Sequence, residues 1–181
     1  MANYYVDFNN RTTETWTMAV YQELPNSIGL DSVSWKQSTA PRGGSTGVSW
    51  SEYFNVAIAD YRQTGGIGVY KASQTLDADL GTAWDIVFQD GVQQLIETGT
   101  TTAGQILITN KSNLLANPGI GMSGQGSVFK REMVSGASAQ FSVKPTYYVG
   151  LFNKVQLGEV ISSNVIVGPL KIVFPAGQNL A

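Results

Sequence analysis

Residues 84–96 read Trp84-Asp85-Ile86-Val87-Phe88-Gln89-Asp90-Gly91-Val92-Gln93-Gln94-Leu95-Ile96. Two runs of β-branched and aromatic residues flank an Asp-Gly pair. Asp-Gly supplies the positive φ angles that both central positions of a two-residue hairpin turn require. Strands are therefore predicted over Ala83–Gln89 and Val92–Glu97, joined at Asp90-Gly91.

The same grammar runs outward in both directions. Tyr4, Val6 and Phe8 alternate with Tyr5, Asp7 and Asn9, and Trp16, Met18 and Val20 alternate with Thr17, Ala19 and Tyr21. Period two is the signature of a strand with one buried face. Asn9-Asn10-Arg11-Thr12 between these runs is rich in turn formers, which predicts a second hairpin. Further strands are predicted at Ser32–Lys36, Gly47–Trp50, Phe54–Ala59, Gly68–Ala72, Gln105–Thr109, Ser127–Val134, Gln140–Val143, Thr146–Phe152, Asn164–Val167 and Leu170–Phe174. Leu76–Leu80 and Ser112–Asn117 could each form one short helical turn, too short for a packed amphipathic helix. Thr98–Gly104 reads as a connecting loop. No internal repeat of fixed period is legible, and no linker divides the chain. The expectation is one all-β domain over residues 1–181: an antiparallel β-sandwich of jelly-roll type with very little helix.

Composition narrows the chemistry. The 181 residues include no His and no Cys, with 11 Lys+Arg against 13 Asp+Glu. There is no Ser-His-Asp or Cys-His machinery and no thiolate or imidazole for zinc, copper or haem. A net charge of −2 gives no electrostatic footprint for nucleic acid. No run of apolar residues is long enough for a membrane-spanning helix, and the N-terminus lacks the pattern of a Sec signal peptide. Synthesis as a cytoplasmic chain is the expectation, with leaderless export left open.

Gly119-Ile120-Gly121-Met122-Ser123-Gly124 matches G-x-G-x-x-G. A dinucleotide site needs that loop to open a helix, whose N-terminus meets the pyrophosphate. Here strand-like Val128-Phe129 follows, which predicts a glycine-rich bulged strand and no cofactor. Glu52, Asp60, Asp85 and Glu97 are the acids nearest to predicted strands. A facing pair of carboxylates would be needed for glycoside hydrolysis, the one reaction class this inventory supports. Asp77-Ala78-Asp79 hints at a calcium loop but lacks the other EF-hand ligand positions, so no metal site is expected. Asn10-Arg11-Thr12 and Asn110-Lys111-Ser112 fit the glycosylation pattern and are read as chance. Arg42-Gly43-Gly44 and Lys130-Arg131 are too isolated to make a nucleic-acid surface.

The aromatic residues are the remaining candidates. Trp16, Trp35, Trp50 and Trp84 sit among predicted strands, where indoles most often build core. Tyr4-Tyr5 and Tyr147-Tyr148 are adjacent pairs, so one ring of each should point outward or into an interface. Tyr5, Tyr148, Trp35 and Trp50 are taken as candidate interaction aromatics.

Several fragments carry a resemblance when read in order. They are Asn9-Asn10 through Ala19-Val20-Tyr21-Gln22 with Pro25, then Ser34-Trp35, Val48-Ser49-Trp50, Gly119 to Gly124, and the Pro145 to Tyr148 region. This order resembles the rhizosphere-expressed protein RhiA family of bacteria and fungi. The resemblance implies a soluble microbial protein linked to life with other organisms, and it carries over no catalytic residue, cofactor or binding site. The function expected is non-enzymatic self-association into a homo-oligomer, favoured by a weakly charged, amide-rich surface. The alternative is a module that recognises a carbohydrate or a membrane surface, lectin-like or lytic toxin-like.

Overall fold

The period-two runs become fifteen strands in the computed structural model, which describes residues 2–161 and 167–174. They are β1 (Asn3–Asn9), β2 (Trp16–Glu23), β3 (Leu30–Ser32), β4 (Lys36–Ala40), β5 (Ser45–Ser51), β6 (Phe54–Thr64), β7 (Ile67–Asp77) and β8 (Thr82–Gln89). There follow β9 (Val92–Thr100), β10 (Gln105–Asn110), β11 (Pro118–Met122), β12 (Gln125–Lys130), β13 (Ser138–Ser142), β14 (Thr146–Phe152) and β15 (Val167–Ile172). No helix forms among the described residues. The strands make a β1-β5 ribbon and three sheets, ordered β13-β10-β8-β9, β3-β12-β11-β6-β7 and β15-β14-β2-β4. Every pair is antiparallel except β8 with β10, which run parallel. The all-β class is as the sequence predicts, but this strand order does not establish a jelly roll.

The hairpin at Asp90-Gly91 forms as expected, with φ of 53° and 82° and Gln89 opposite Val92. The predicted hairpin of the first two strands does not form. β1 pairs with β5, and β2 pairs with β4 and β14. The turn-rich residues between them instead carry the chain from one sheet to another. Ser32–Lys36 splits into the end of β3 and the start of β4, because Trp35 turns its ring into the core between them. Leu76 and Asp77 extend β7, and Ser112–Asn117 holds no helical turn. Thr98 to Thr100 continue β9, and β12 stops at Lys130. Of the predicted strand Asn164–Val167, residues 164–166 lie outside the described residues.

The chain contains a structural repeat that its sequence hides. Asn10 is buried, and its amide donates to the carbonyls of Glu14, Ala40 and Pro41, while its Oδ1 accepts from the N–H and hydroxyl of Thr12. Asn110 is buried and does the same with Leu114, Met133 and Ser112. Adding 100 to the numbers of β1 and β2, and 93 to those of β4, β5 and β6, lands on or beside β10 to β14. The pairing of β1 with β5 and the register of Met122 with Phe54 carry over, while that of β2 with β4 carries over at its first pair and slips by one residue further along. Asn9 opposite Ser45 becomes Thr109 opposite Ser138. Trp16 opposite Ala40 becomes Ala116 opposite Met133. Met122 opposite Phe54 becomes Gln22 opposite Tyr147. The unequal shifts arise because the link from β2 to β4 carries the added strand β3, whereas β11 and β12 join at the tight turn Ser123-Gly124. A search for one fixed period therefore fails.

The two units exchange strands. The hairpin β6–β7 of the first joins the hairpin β11–β12 of the second through β6 and β11, while β14–β15 of the second joins β2–β4 of the first through β14 and β2. Two cores result. One gathers Ile106, Ile108, Val56, Ile58, Ile120 and Val128, and the hairpin β8–β9 closes it with Trp84, Ile86 and Leu95. The other gathers Val6, Phe8, Val149, Leu151, Val20 and Trp35, which are the equivalent positions.

Candidate functional site

The second core is open along one side. β1 pairs with β5 and with no other strand among the described residues. Tyr4, Val6 and Phe8 face the core, so Tyr5, Asp7 and Asn9 face outward. The Asn10 N–H donates to the Gly44 carbonyl at 2.9 Å, which fixes the parity of the β1–β5 ladder. In an antiparallel pair the residues between hydrogen-bonded partners turn their main-chain groups the other way. The N–H and C=O groups of Tyr5, Asp7 and Asn9 thus point to the open edge.

Beside that edge lies an apolar groove of ≈ 470 Å³, lined by Val6, Phe8, Met18, Val149, Leu151 and Leu170 among others. It separates the inner face of β1 from β14 and β15. Val167, Leu170 and Val173 are exposed along its rim, Leu170 by 68%. Aliphatic rims of this kind are unfavourable in water unless something covers them.

One end of the core is walled by an aromatic cluster. The Tyr4 ring lies 4.7 Å from Phe174 and 5.7 Å from Trp50, and Trp50 lies 5.2 Å from Trp35 and 5.1 Å from Tyr147. Burial pushes the Tyr147 hydroxyl well above the usual phenol range, opposed by the nearby Trp50 N–H and Gln22 amide. Burial and the neighbouring Glu52 carboxylate raise Tyr4 as well, and the Tyr4 hydroxyl donates to Glu52 at 3.1 Å.

The four candidate aromatics separate into two classes. Trp35 and Trp50 are 1% and 3% exposed, and the Trp35 N–H donates to the carbonyls of Met122 and Gln125 at 3.2 Å. Both indoles are core, out of a partner's reach at the surface, because their area is better spent between sheets. Tyr5 is 48% exposed on the outer face of β1. Tyr148 is half-buried and stacks on Tyr21 at 5.5 Å and 20°. The groove lining itself was legible only as strand residues, since nothing in one sequence says which strand lacks a neighbour.

The other motifs find structural places. Gly119 to Gly124 form β11 and its turn, with a register shift at Ile120/Gly121. A Cβ on Gly119 would sit 2.3 Å from the Phe129 ring, so glycine there makes room for an aromatic side chain. No helix follows to meet a phosphate. Asp85 pairs with Lys111 at 2.6 Å, and Asp60 faces Lys71 across β6 and β7. Glu97 lies opposite Trp84 in β9. Asp77 and Asp79 share a depression with Glu52, but among the described residues no three acidic side chains gather closely enough to hold a metal ion.

Comparison with known proteins gives two matches. The family model for RhiA matches residues 1–180. Protein RhiA of Rhizobium leguminosarum bv. viciae is 25% identical over 182 residues, covering 96% of this chain and 78% of that protein. No solved structure matches.

Proposed function

We propose that this chain, which belongs to the RhiA family, is a non-enzymatic β-protein that acts by self-association, with the open β1 face as its contact surface. The observation that carries this reading is a strand edge that has no partner among the described residues, beside an apolar groove. Soluble proteins usually guard such edges with Lys, Pro, a bulge or a covering loop. β1 has seven regular residues, Asn-Tyr-Tyr-Val-Asp-Phe-Asn, with no Lys, no Pro and no register shift. Tyr5, Val167, Leu170 and Val173 add exposed apolar area on both sides of the edge. A net charge of −2 offers little long-range repulsion between copies.

Sedimentation velocity over a micromolar concentration series tests the reading. The weight-average mass should rise with concentration, and Leu170→Asp, which charges the rim, should hold the protein at monomer mass. A wild-type chain that stays monomeric throughout the series overturns it.

A further inference from the structure

The repeat says what the groove is built to take. In the closed core, β8 lies parallel to β10, with Trp84 opposite Ile108 and Ile86 opposite Asn110. The Lys111 N–H donates to the Ile86 carbonyl at 2.8 Å, and the Gly81 N–H donates to the Gln105 carbonyl at 2.7 Å. The Trp84 and Ile86 side chains, with Leu95 from β9, fill the space between β10 and β6–β7. In the open core β1 stands where β10 stands, and β14–β15 stand where β6–β7 stand. The equivalents of Ile106, Ile108, Val56 and Ile58 are Val6, Phe8, Val149 and Leu151, and these four line the groove. Among the described residues no strand takes the place of β8 there. The groove lies where β8 lies in the closed core.

We infer that this groove is a strand-acceptor site, which takes an extended segment of a partner polypeptide running parallel to β1, with bulky apolar side chains at alternate positions. Main-chain groups of Tyr5, Asp7 and Asn9 supply the ladder, and the groove receives every second side chain, the division of labour of β-augmentation. By equivalence with β8, the first large side chain enters opposite Phe8 and the next opposite Asn10. The acceptor shares its face with the self-association reading but makes a separate claim. A twofold axis that sets one β1 against another gives an antiparallel pair, so a parallel strand must come from a different segment.

The chain itself supplies the probe: the octapeptide Thr-Ala-Trp-Asp-Ile-Val-Phe-Gln, the sequence of β8, with two added lysines for solubility and a fluorescein label. Titrated with the full chain, it should give saturable anisotropy, whereas a peptide with Ser for Trp and Ile should not. Leu170→Asp should weaken binding by about tenfold or more, since one buried leucine contributes that much. A nitroxide on the peptide N-terminus should broaden amide signals near Tyr5, and one on the C-terminus those near Asn10. Absence of saturable binding overturns the inference, including where another part of the same chain holds the groove. Binding that ignores Leu170→Asp, or reversed polarity, overturns it as well. A monomer that binds the peptide defeats self-association alone; an oligomer that does not bind it defeats the acceptor alone.

Discussion

At the scale of single residues, the most informative side chains are the two buried asparagines. Taken alone, Asn10-Arg11-Thr12 and Asn110-Lys111-Ser112 are glycosylation patterns; folded, each is a brace tying a strand end to the next sheet. The signal lay in the sequence: two triplets of matching chemistry, each directly after a strand. Nothing in either triplet alone tells a brace from a sugar acceptor. Because the Asn110 amide donates to two carbonyls, a carboxylate cannot replace it. Asn110→Asp should cost about 2–4 kcal/mol in urea unfolding, from two lost bonds and two carbonyls facing a like dipole or charge. An unchanged midpoint would show that Asn110 braces nothing. The tyrosines give a second test. Burial first, and then its hydrogen bond to Asp31, hold the Tyr70 hydroxyl well above its ordinary pKa; burial does the same for Tyr147. Above about pH 10 the unfolded chain releases these protons while the folded chain keeps them, so the native state binds more protons. Stability should therefore be fully present below pH 10 and fall as the pH rises from there. Tyr70→Phe should flatten that fall, and a slope identical to wild type would show that Tyr70 ionises freely in the fold.

Elements are where reading from sequence succeeds and then stops. The β8–β9 hairpin was legible because its turn chemistry, strand alternation and length all agree. The pairing of β1 was not, because alternation reports which face is buried and not which strand lies alongside. Gly91 sits at φ 82°, and a Cβ added there would meet nothing within 4 Å, so a side chain at this position encounters only backbone strain. Gly91→Val should cost about 1–2 kcal/mol, since a left-handed conformation penalises a β-branched residue by that order. An unchanged unfolding midpoint would place the turn elsewhere. The covering role of the hairpin has its own consequence. Ile108 is fully buried beneath Trp84, whereas its equivalent Phe8 borders the groove and is half-buried. Ile108→Ala should cost about 3–4 kcal/mol. Phe8→Ala should cost less despite removing more atoms, because part of its surface already lacks neighbours. Equal or reversed costs, measured by the same unfolding series, would mean that the groove is closed in solution.

For the molecule as a whole, the exchange of strands decides how it can fold. Each of the three sheets takes strands from both units, with β3, β6 and β7 beside β11 and β12 in the largest and two from each unit in the other two, so neither unit can complete one of these sheets alone. Two of the ladders that join the units, β6 with β11 and β2 with β14, lie in the middle of their sheets, where β2 and β11 are buried over almost their whole length. A duplicated chain of this kind differs from two domains on a string, whose parts would keep their own cores. The distinction was not visible in the sequence, where the two units share little beyond their braces and glycine turns. It is visible in a cut. The loop Thr101 to Gly104 joins the units after β9, so a chain divided at residue 102 yields two fragments with complete strands and incomplete sheets. Fragments 1–102 and 103–181 should each show the far-UV circular dichroism of an unfolded chain. Each would expose the apolar faces of its central strands with no partner strand, and that burial is the main favourable term in folding. Mixed in equal amounts, they should recover the β spectrum of the intact protein, with a midpoint that rises with concentration because assembly has become bimolecular. A first fragment that folds alone into a stable monomer would show that its strands close a sheet without the second unit, and the interlocked description would fail with it.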